Sequence, residues 1–430
     1  MDRQDGRRRL RRLREGRGWS WTDEARAIQS MARCLGVSRL AHTTLASIRR
    51  TIARWESTSA ATVPDDRYQW VLAHLFAIRD ERIDLGPGSE LARLLLALQA
   101  LGVAPERMAE IHDVVIAWAE RQGRPALAIM SDRHLDDAEA VAEYRLTLAA
   151  LSRRADITPF LQTHLSLAPL LEALQRAGTA ESSPAVLALA AQGFALAGRL
   201  AFELRDDETA RAHYRTAMAR ADRLSDGWLS AAVRTSYAMV TMHRSGELDD
   251  AERLAHQAVR AAMKGSSDVA RARALSVQAE IAARRGLVRP VGAALDLAQA
   301  HMERPQPDDP GGSGLDPARL AGFVGLCRLL TCHGDAVSHL ERASAGVPAT
   351  ANPVQRAIIL ADLALGYVRQ KSPEPEASVR QLHECADLVA RTRGRVGMQR
   401  IRQVRRQLRP WDGTPFLNEL DDHMYTALLG

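Results

Sequence analysis

The chain has 430 residues, 46% apolar and 26% charged, a globular composition long enough for roughly two to four domains. No apolar run reaches the ~18 residues of a membrane span, MDRQDGRRRLRRLR opens the chain without the apolar stretch of a secretory signal, and four cysteines do not make a disulfide framework, so a reducing cytoplasm is expected. The net charge of +6 is uneven: residues 1–80 hold 16 Arg against 9 Asp and Glu, a net of +7, which leaves −1 for the other 350 residues.

A localised basic end is what a phosphate-binding module needs, because counterion release scales with clustered cations. Residues 1–83 read as a module of four helices: about 7–16, 22–35 with Thr22 as cap, 48–56 with Ser47 as cap, and 65–76. In the third, Ile48, Ile52 and Trp55 stand at i, i+4, i+7 and form one apolar face. The opposite face carries Arg50 and Ala53, flanked by Arg49 and Arg54. A helix seated in that way can lie close to a major-groove floor, where Arg donates two hydrogen bonds to guanine O6 and N7. The expected base-contacting set is Ser47, Arg49, Arg50, Thr51 and Arg54, with Thr51 at its margin. Arg8, Arg9, Arg12 and Arg39 are the expected phosphate contacts, although the 7–14 cluster reads equally as a frayed charged terminus. The plain alternative for residues 1–83 is an Arg-rich cap on a helical array.

DLGPGS, residues 84–89, reads as a linker because Gly-Pro-Gly cannot continue a helix. From residue 90 onward Leu and Ala recur at i, i+3, i+4 and alternating β-branched runs are absent. Residues 90–185 are expected to hold degenerate helical pairs. Residues 186–390 hold five similar units, among them AGRLAFELRDDETARAHYRTAMARA, with Gly198, Ala210, Tyr214 and Ala217, and SYAMVTMHRSGELDDAERLAHQAVRAA, with Gly246, Ala251, Ala255 and Ala258. Gly286, Gly334 and Gly366 mark the other three. Each reads as helix, Gly-containing turn, helix, in which small residues let the pair approach and neighbours must stack to bury the apolar faces. The polar stretch RPQPDDPGGSGLDP, residues 304–317, reads as a mobile excursion. In residues 391–410 eight Arg stand without an acid. That run is either a second DNA contact or, the favoured reading, the polar face of a capping helix in 391–430 with Val396, Ile401 and Val404 inward.

These units resemble tetratricopeptide repeats, although Gly246 and Gly286 stand 40 residues apart against ~34 in that family. The resemblance implies a groove lined by the first helix of each repeat. Placed by their turn glycines, Gln192, Arg199, Ser236, His243, Arg244, Arg273, Glu280 and Arg328 face it. Arginines there favour an acidic peptide or a free carboxylate, or else only solvate the helices and pair with neighbouring acids.

LRRLREGRGWSWTDEARA, IRRTIARWE and DDRYQWVLAHLFAI resemble the helix-turn-helix of the XRE (Cro/repressor-like) family in its actinobacterial form. There a W-E pair ends the recognition helix and an R-Y motif opens the next; Arg54-Trp55-Glu56 and Arg67-Tyr68 carry the match. LRPWDGTPFLNELDDHM, residues 408–424, is similar to the C-terminal end of the same regulators. Two departures stand out: Ser57-Thr58-Ser59 follows W-E where the family has Gly, and residues 36–46 exceed a 3–4-residue turn.

Cys327, Cys332 and His333 lack metal-site spacing and read as buried structural thiols on packed helices beside an ordinary histidine, with no metal. Walker, dinucleotide, zincin and nucleophile-elbow motifs are absent, so neither a cofactor nor an enzyme is expected. The expected architecture is all-α, an N-terminal helix-turn-helix domain followed by a tetratricopeptide-like solenoid. By resemblance, the expected function is a cytoplasmic, nucleoid-associated transcriptional regulator that binds double-stranded DNA as a homodimer. Its repeats would sense a peptide, small ligand or protein partner. The alternative is a protein–protein interaction scaffold without specific DNA binding.

Overall fold

A computed structural model of the chain describes residues 3–35, 37–57, 62–79, 82–86, 88–121, 135, 138–157, 159–177, 182–244, 247–304, 308–312, 314–349 and 352–429. Gly36, Thr58, Ser59, Pro87 and Gly246, singled out above, lie outside the described residues. The regular structure described is all helical but for one antiparallel pair of two-residue strands, β1 (Ile78–Arg79) and β2 (Arg82–Ile83). The chain divides into two compact units, 1–152 with 168–173, and 153–167 with 174–430.

The first unit runs through α1 (Arg3–Gly16), α2 (Trp21–Cys34), the one-turn α3 (Ser38–Ala41), α4 (Leu45–Glu56), α5 (Asp66–Ala77), α6 (Glu90–Ala100), α7 (Pro105–Arg121) and most of α8 (Ala138–Arg154). Two helix starts differ from expectation. Ser20, not Thr22, caps α2, because Asp23 returns its carboxylate to the Ser20 N–H and closes a capping box. Thr44, not Ser47, caps α4 and accepts from the Ser47 N–H at 3.3 Å. Asp65 caps α5. The long connection before α4 is in part α3. Ile28, Ile48, Ile52, Trp55, Val71, Leu72 and Phe76 share one core with Leu91, Leu94 and Leu98. Helix α6, grouped on sequence with the repeats, packs instead against α1 and α5. Residues 84–89 therefore connect two helices of a single core.

In the second unit, after α9 (Phe160–Ala177), helices pair in succession: α10 (Pro184–Glu203) with α11 (Asp207–Ala221), α12 (Trp228–Met242) with α13 (Leu248–Lys264), and α14 (Asp268–Arg284) with α15 (Val288–Met302). Then come α16 (Pro317–Leu330) with α17 (Ala336–Gly346), and α18 (Pro353–Arg369) with α19 (Pro375–Thr392). The first helices, α10, α12, α14, α16 and α18, pack on one another in order, the arrangement of a helical solenoid. The second helices turn small residues inward: Ala210, Ala217, Ala251, Ala255, Ala258, Ala298 and Ala343 are all buried. Gly198 lies inside α10 rather than in a turn, where a Cβ would stand 2.7 Å from the Tyr214 ring, so its absence sets the α10–α11 spacing.

Three expectations change here. Helix α10 is long and apolar enough to cross a membrane by length and composition, but 67% of its apolar window is buried inside the protein. The described part of 304–317 is folded back rather than free: Asp309 accepts from the Val269 N–H at 3.1 Å and from the Ser267 hydroxyl, and Leu315 is buried. Cys327 is buried as expected, but Cys332 is exposed in the α16–α17 turn with φ of +60°. The unit ends with α20 (Arg395–Gln407) and α21 (Pro415–Leu429). Helix α20 packs on α18 and also reaches α10, while α21 packs on α19.

Candidate functional site

Helix α4 has two chemically opposite sides. Ile48, Ile52 and Trp55 are 0–3% exposed, whereas Ala46, Arg49, Arg50 and Arg54 face solvent and Ala53 is half-buried between them. Ala46, Arg49, Arg50 and Ala53 stand at i, i+3, i+4, i+7, so two small side chains bracket two guanidiniums along one stripe. The other two members of the expected set are placed differently. Ser47 is half-buried in the first turn. Thr51 donates its hydroxyl to the Ser47 carbonyl at 3.1 Å. Of the expected phosphate contacts, Arg8, Arg12 and Arg39 are exposed. Arg9 is tied to Asp5 and Glu139, at 2.7 Å each.

The W-E pair and Tyr68 hold α4 in place, whereas Arg67 is exposed and pairs with Asp65. Trp55 meets Tyr68 edge to face, with ring centroids 4.8 Å apart. Glu56 accepts a two-pronged ion pair from Arg14 at 2.7 Å on each oxygen, and the Trp21 indole N–H donates to it at 3.0 Å. Arg14 also caps the Trp19 carbonyl at 2.8 Å. The neighbouring Glu24 is buried 3.8 Å from Arg14. Burial and the Glu56 charge push its carboxyl up to about 8. Arg14 therefore belongs to the interior, not to a frayed terminus.

In the second unit α20 lies across the face made by the first helices. Arg400 reaches Asp362 of α18 and stands 3.8 Å from Glu280 of α14. Arg395 reaches Asp207, and the Val396 N–H donates to Glu203 at 3.2 Å. The arginine run expected as a capping face thus sends two of its members inward. Val396, Ile401 and Val404 are buried as expected, and Arg402, Arg406 and Arg409 are exposed. Burial raises the Asp362 carboxyl above the ordinary range against the pull of Arg400, whereas at Glu280 the combined charges of Arg284 and Arg400 outweigh burial and hold it low.

A cavity of about 210 Å³ lies between α20 and the first helices. It brings together Arg199, Ser236, His243, Arg273 and Glu280 of the expected groove set. Gln192 is exposed elsewhere on α10, Arg244 pairs with Asp207 and Glu247, and Arg328 pairs with Asp335. The expected arginine-lined groove is therefore of mixed charge. Sequence reasoning missed Asp156, Glu203, Asp207 and Asp362 as partners of its arginines. Two of them had a signal: Glu203 is the only acid in α10 and Asp362 the only acid in α18, each on a helix whose residues are mostly apolar. A lone acid on a core helix calls for a buried cation. Burial and Arg400 depress His243 to about 3, so the imidazole is neutral.

No family model and no curated protein matches the chain. Among solved structures it is similar to the crystal structure of BtubC (BKLC) from P. vanneervenii, at 15% identity and a TM-score of 0.38, over 60% of this chain and 95% of that one.

Proposed function

We propose that the protein is a sequence-specific DNA-binding transcriptional regulator, with an XRE-like helix-turn-helix in its first unit and α4 as the recognition helix. The carrying observation is the outward stripe of Arg49, Arg50 and Arg54 on a helix seated by Ile48, Ile52 and Trp55. Arg49 and Arg50 read bases, and the exposed Arg8, Arg12 and Arg39 contact phosphates. The repeat unit senses a ligand or partner, and the protein acts in the cytoplasm, at the nucleoid.

Titrating genomic fragments with wild type and with Arg49→Ala/Arg50→Ala tests the reading. Each base-reading arginine contributes roughly 1–3 kcal/mol, so the pair loses affinity by about 30-fold to 10⁴-fold and loses sequence preference together with it. Weak, indiscriminate binding that the pair leaves unchanged supports a protein-binding scaffold instead. We further propose that two copies bind half-sites about one helical turn apart, the geometry that a helix-turn-helix dimer requires. Sedimentation showing dimer on DNA is expected; monomer alone, with and without DNA, removes that part.

A further inference from the structure

We propose that the cavity between α20 and the first helices binds a small organic monocarboxylate with an apolar body, its carboxylate held by the fork of Arg273. This deepens the sensing role proposed for the repeat unit, and its test needs no DNA, so the failure of one reading is separable from the failure of the other.

Every carboxylate on the cavity wall already has a partner. Asp156 pairs with Arg199 at 2.6 Å, Glu280 with Arg284 at 2.6 Å, Asp362 with Arg400, and Glu203 accepts the Val396 N–H. The arginines are committed too, with one exception. Arg319 pairs with Asp316 at 3.2 Å, whereas among the described residues Arg273 is the one arginine lining the cavity that has no ion pair. Its guanidinium donates to the Ser236 hydroxyl at 3.2 Å and lies 4.0 Å from the Met239 sulfur. Both are neutral, so the charge itself is uncompensated. Burial and the nearby Arg319 charge lower its pKa to about 10, which still leaves it protonated.

A cation held in protein without a counter-charge is destabilising unless something supplies one. The planar fork of arginine matches a carboxylate with two parallel hydrogen bonds. Beside the internally paired charges, the wall offers an apolar surface of Val240, Phe323, Leu326, Val354, Ile358 and Val396. That combination, one uncommitted cation beside an apolar surface and carboxylates that repel further negative charge, fits a monoanion with a hydrocarbon body better than a phosphate dianion. At about 210 Å³ the space falls below the ~300–1,000 Å³ of drug-sized pockets, which selects a small molecule over a peptide.

Calorimetric titration and thermal unfolding of the full chain, with hexanoate, phenylacetate, the uncharged phenylacetamide and inorganic phosphate as probes, test the proposal. At least one carboxylate is expected to bind and raise Tm, with phenylacetamide and phosphate much weaker. Arg273→Met removes the charge and is expected to weaken carboxylate binding by about 10- to 100-fold. Arg273→Lys keeps the charge but loses the fork and falls between the two. Circular dichroism verifies that each variant is folded, and the wild-type comparison of acid with amide stands without them. Absence of binding by both carboxylates, amide binding as tight as the acid, or carboxylate affinity unchanged in Arg273→Met overturns the proposal. Preferential phosphate binding overturns the ligand class.

Discussion

Glu56→Ala is expected to destabilise the N-terminal unit by about 3–5 kcal/mol, a large share of the ~5–15 kcal/mol typical of a domain. The Arg14 and Glu56 side chains are only 10% and 6% exposed, so truncating the acid leaves a buried guanidinium without its main counter-charge. The Trp21 indole loses its acceptor in the same step. Glu24, 3.8 Å from Arg14, takes up part of the loss by ionising, because the Glu56 charge is one of the two causes that keep it protonated. Denaturant unfolding followed by tryptophan fluorescence reports on this unit, since five of the seven indoles (Trp19, Trp21, Trp55, Trp70, Trp118) lie in residues 1–152. Removing both partners, Arg14→Met/Glu56→Ala, costs less than the single change if the unpaired charge is the cause. Equal losses would point to lost packing instead.

The second large effect is expected from Arg400→Met in the other unit. Arg400 and Asp362 are 11% and 8% exposed, and Glu280 stands beside them with Arg284 as its own partner. Without Arg400 the Asp362 carboxylate loses its ion-pair partner and keeps only the weaker pull of Arg284, and a loss of about 3–5 kcal/mol follows. Burial already raises the Asp362 pKa, and the variant raises it further. A carboxyl whose folded pKa lies above its unfolded value stabilises fully below the unfolded value and less as pH rises through the folded one. The deficit of Arg400→Met is therefore smallest in acid and grows towards neutral pH. Differential scanning calorimetry across that range measures it. Asp362→Leu/Arg400→Met is expected to recover most of the loss, because an apolar pair needs no compensation.

What could be read from sequence was the faces of helices. Ile48, Ile52 and Trp55 announce a buried side by spacing alone, and the structure buries all three. The alanine rows of the repeats are legible for the same reason, since only small residues permit the close pairing that Gly198 and Tyr214 also show. Helix starts were less legible. Ser20 and Thr22 on one side, and Thr44 and Ser47 on the other, are equally good cap residues, and the choice is made by Asp23 and by the backbone path. The place of α20 was not legible at all. An arginine-rich amphipathic helix has the same pattern whether its arginines face water or distant acids, and Arg395 and Val396 meet Asp207 and Glu203 across 188 and 193 residues of chain. Arg9 and Arg14 were misplaced for the same reason: Glu139 and Glu56 are remote in sequence.

Among the described residues nine arginines are exposed in the first unit at 3, 8, 11, 12, 26, 33, 39, 67 and 145, besides the three on α4, so charge alone predicts some DNA affinity. The functional reading asks for more, namely that α4 reads base edges. Guanine-N7 methylation protection on a fragment selected by the wild-type protein measures this directly, because a guanidinium bound to O6 and N7 blocks the reagent in the major groove. The account predicts discrete protected guanines that become reactive when Arg49 and Arg50 are both alanine, while the helical content of the variant is unchanged. Guanines that stay reactive under saturating wild-type protein, or protection identical in the variant, would contradict it.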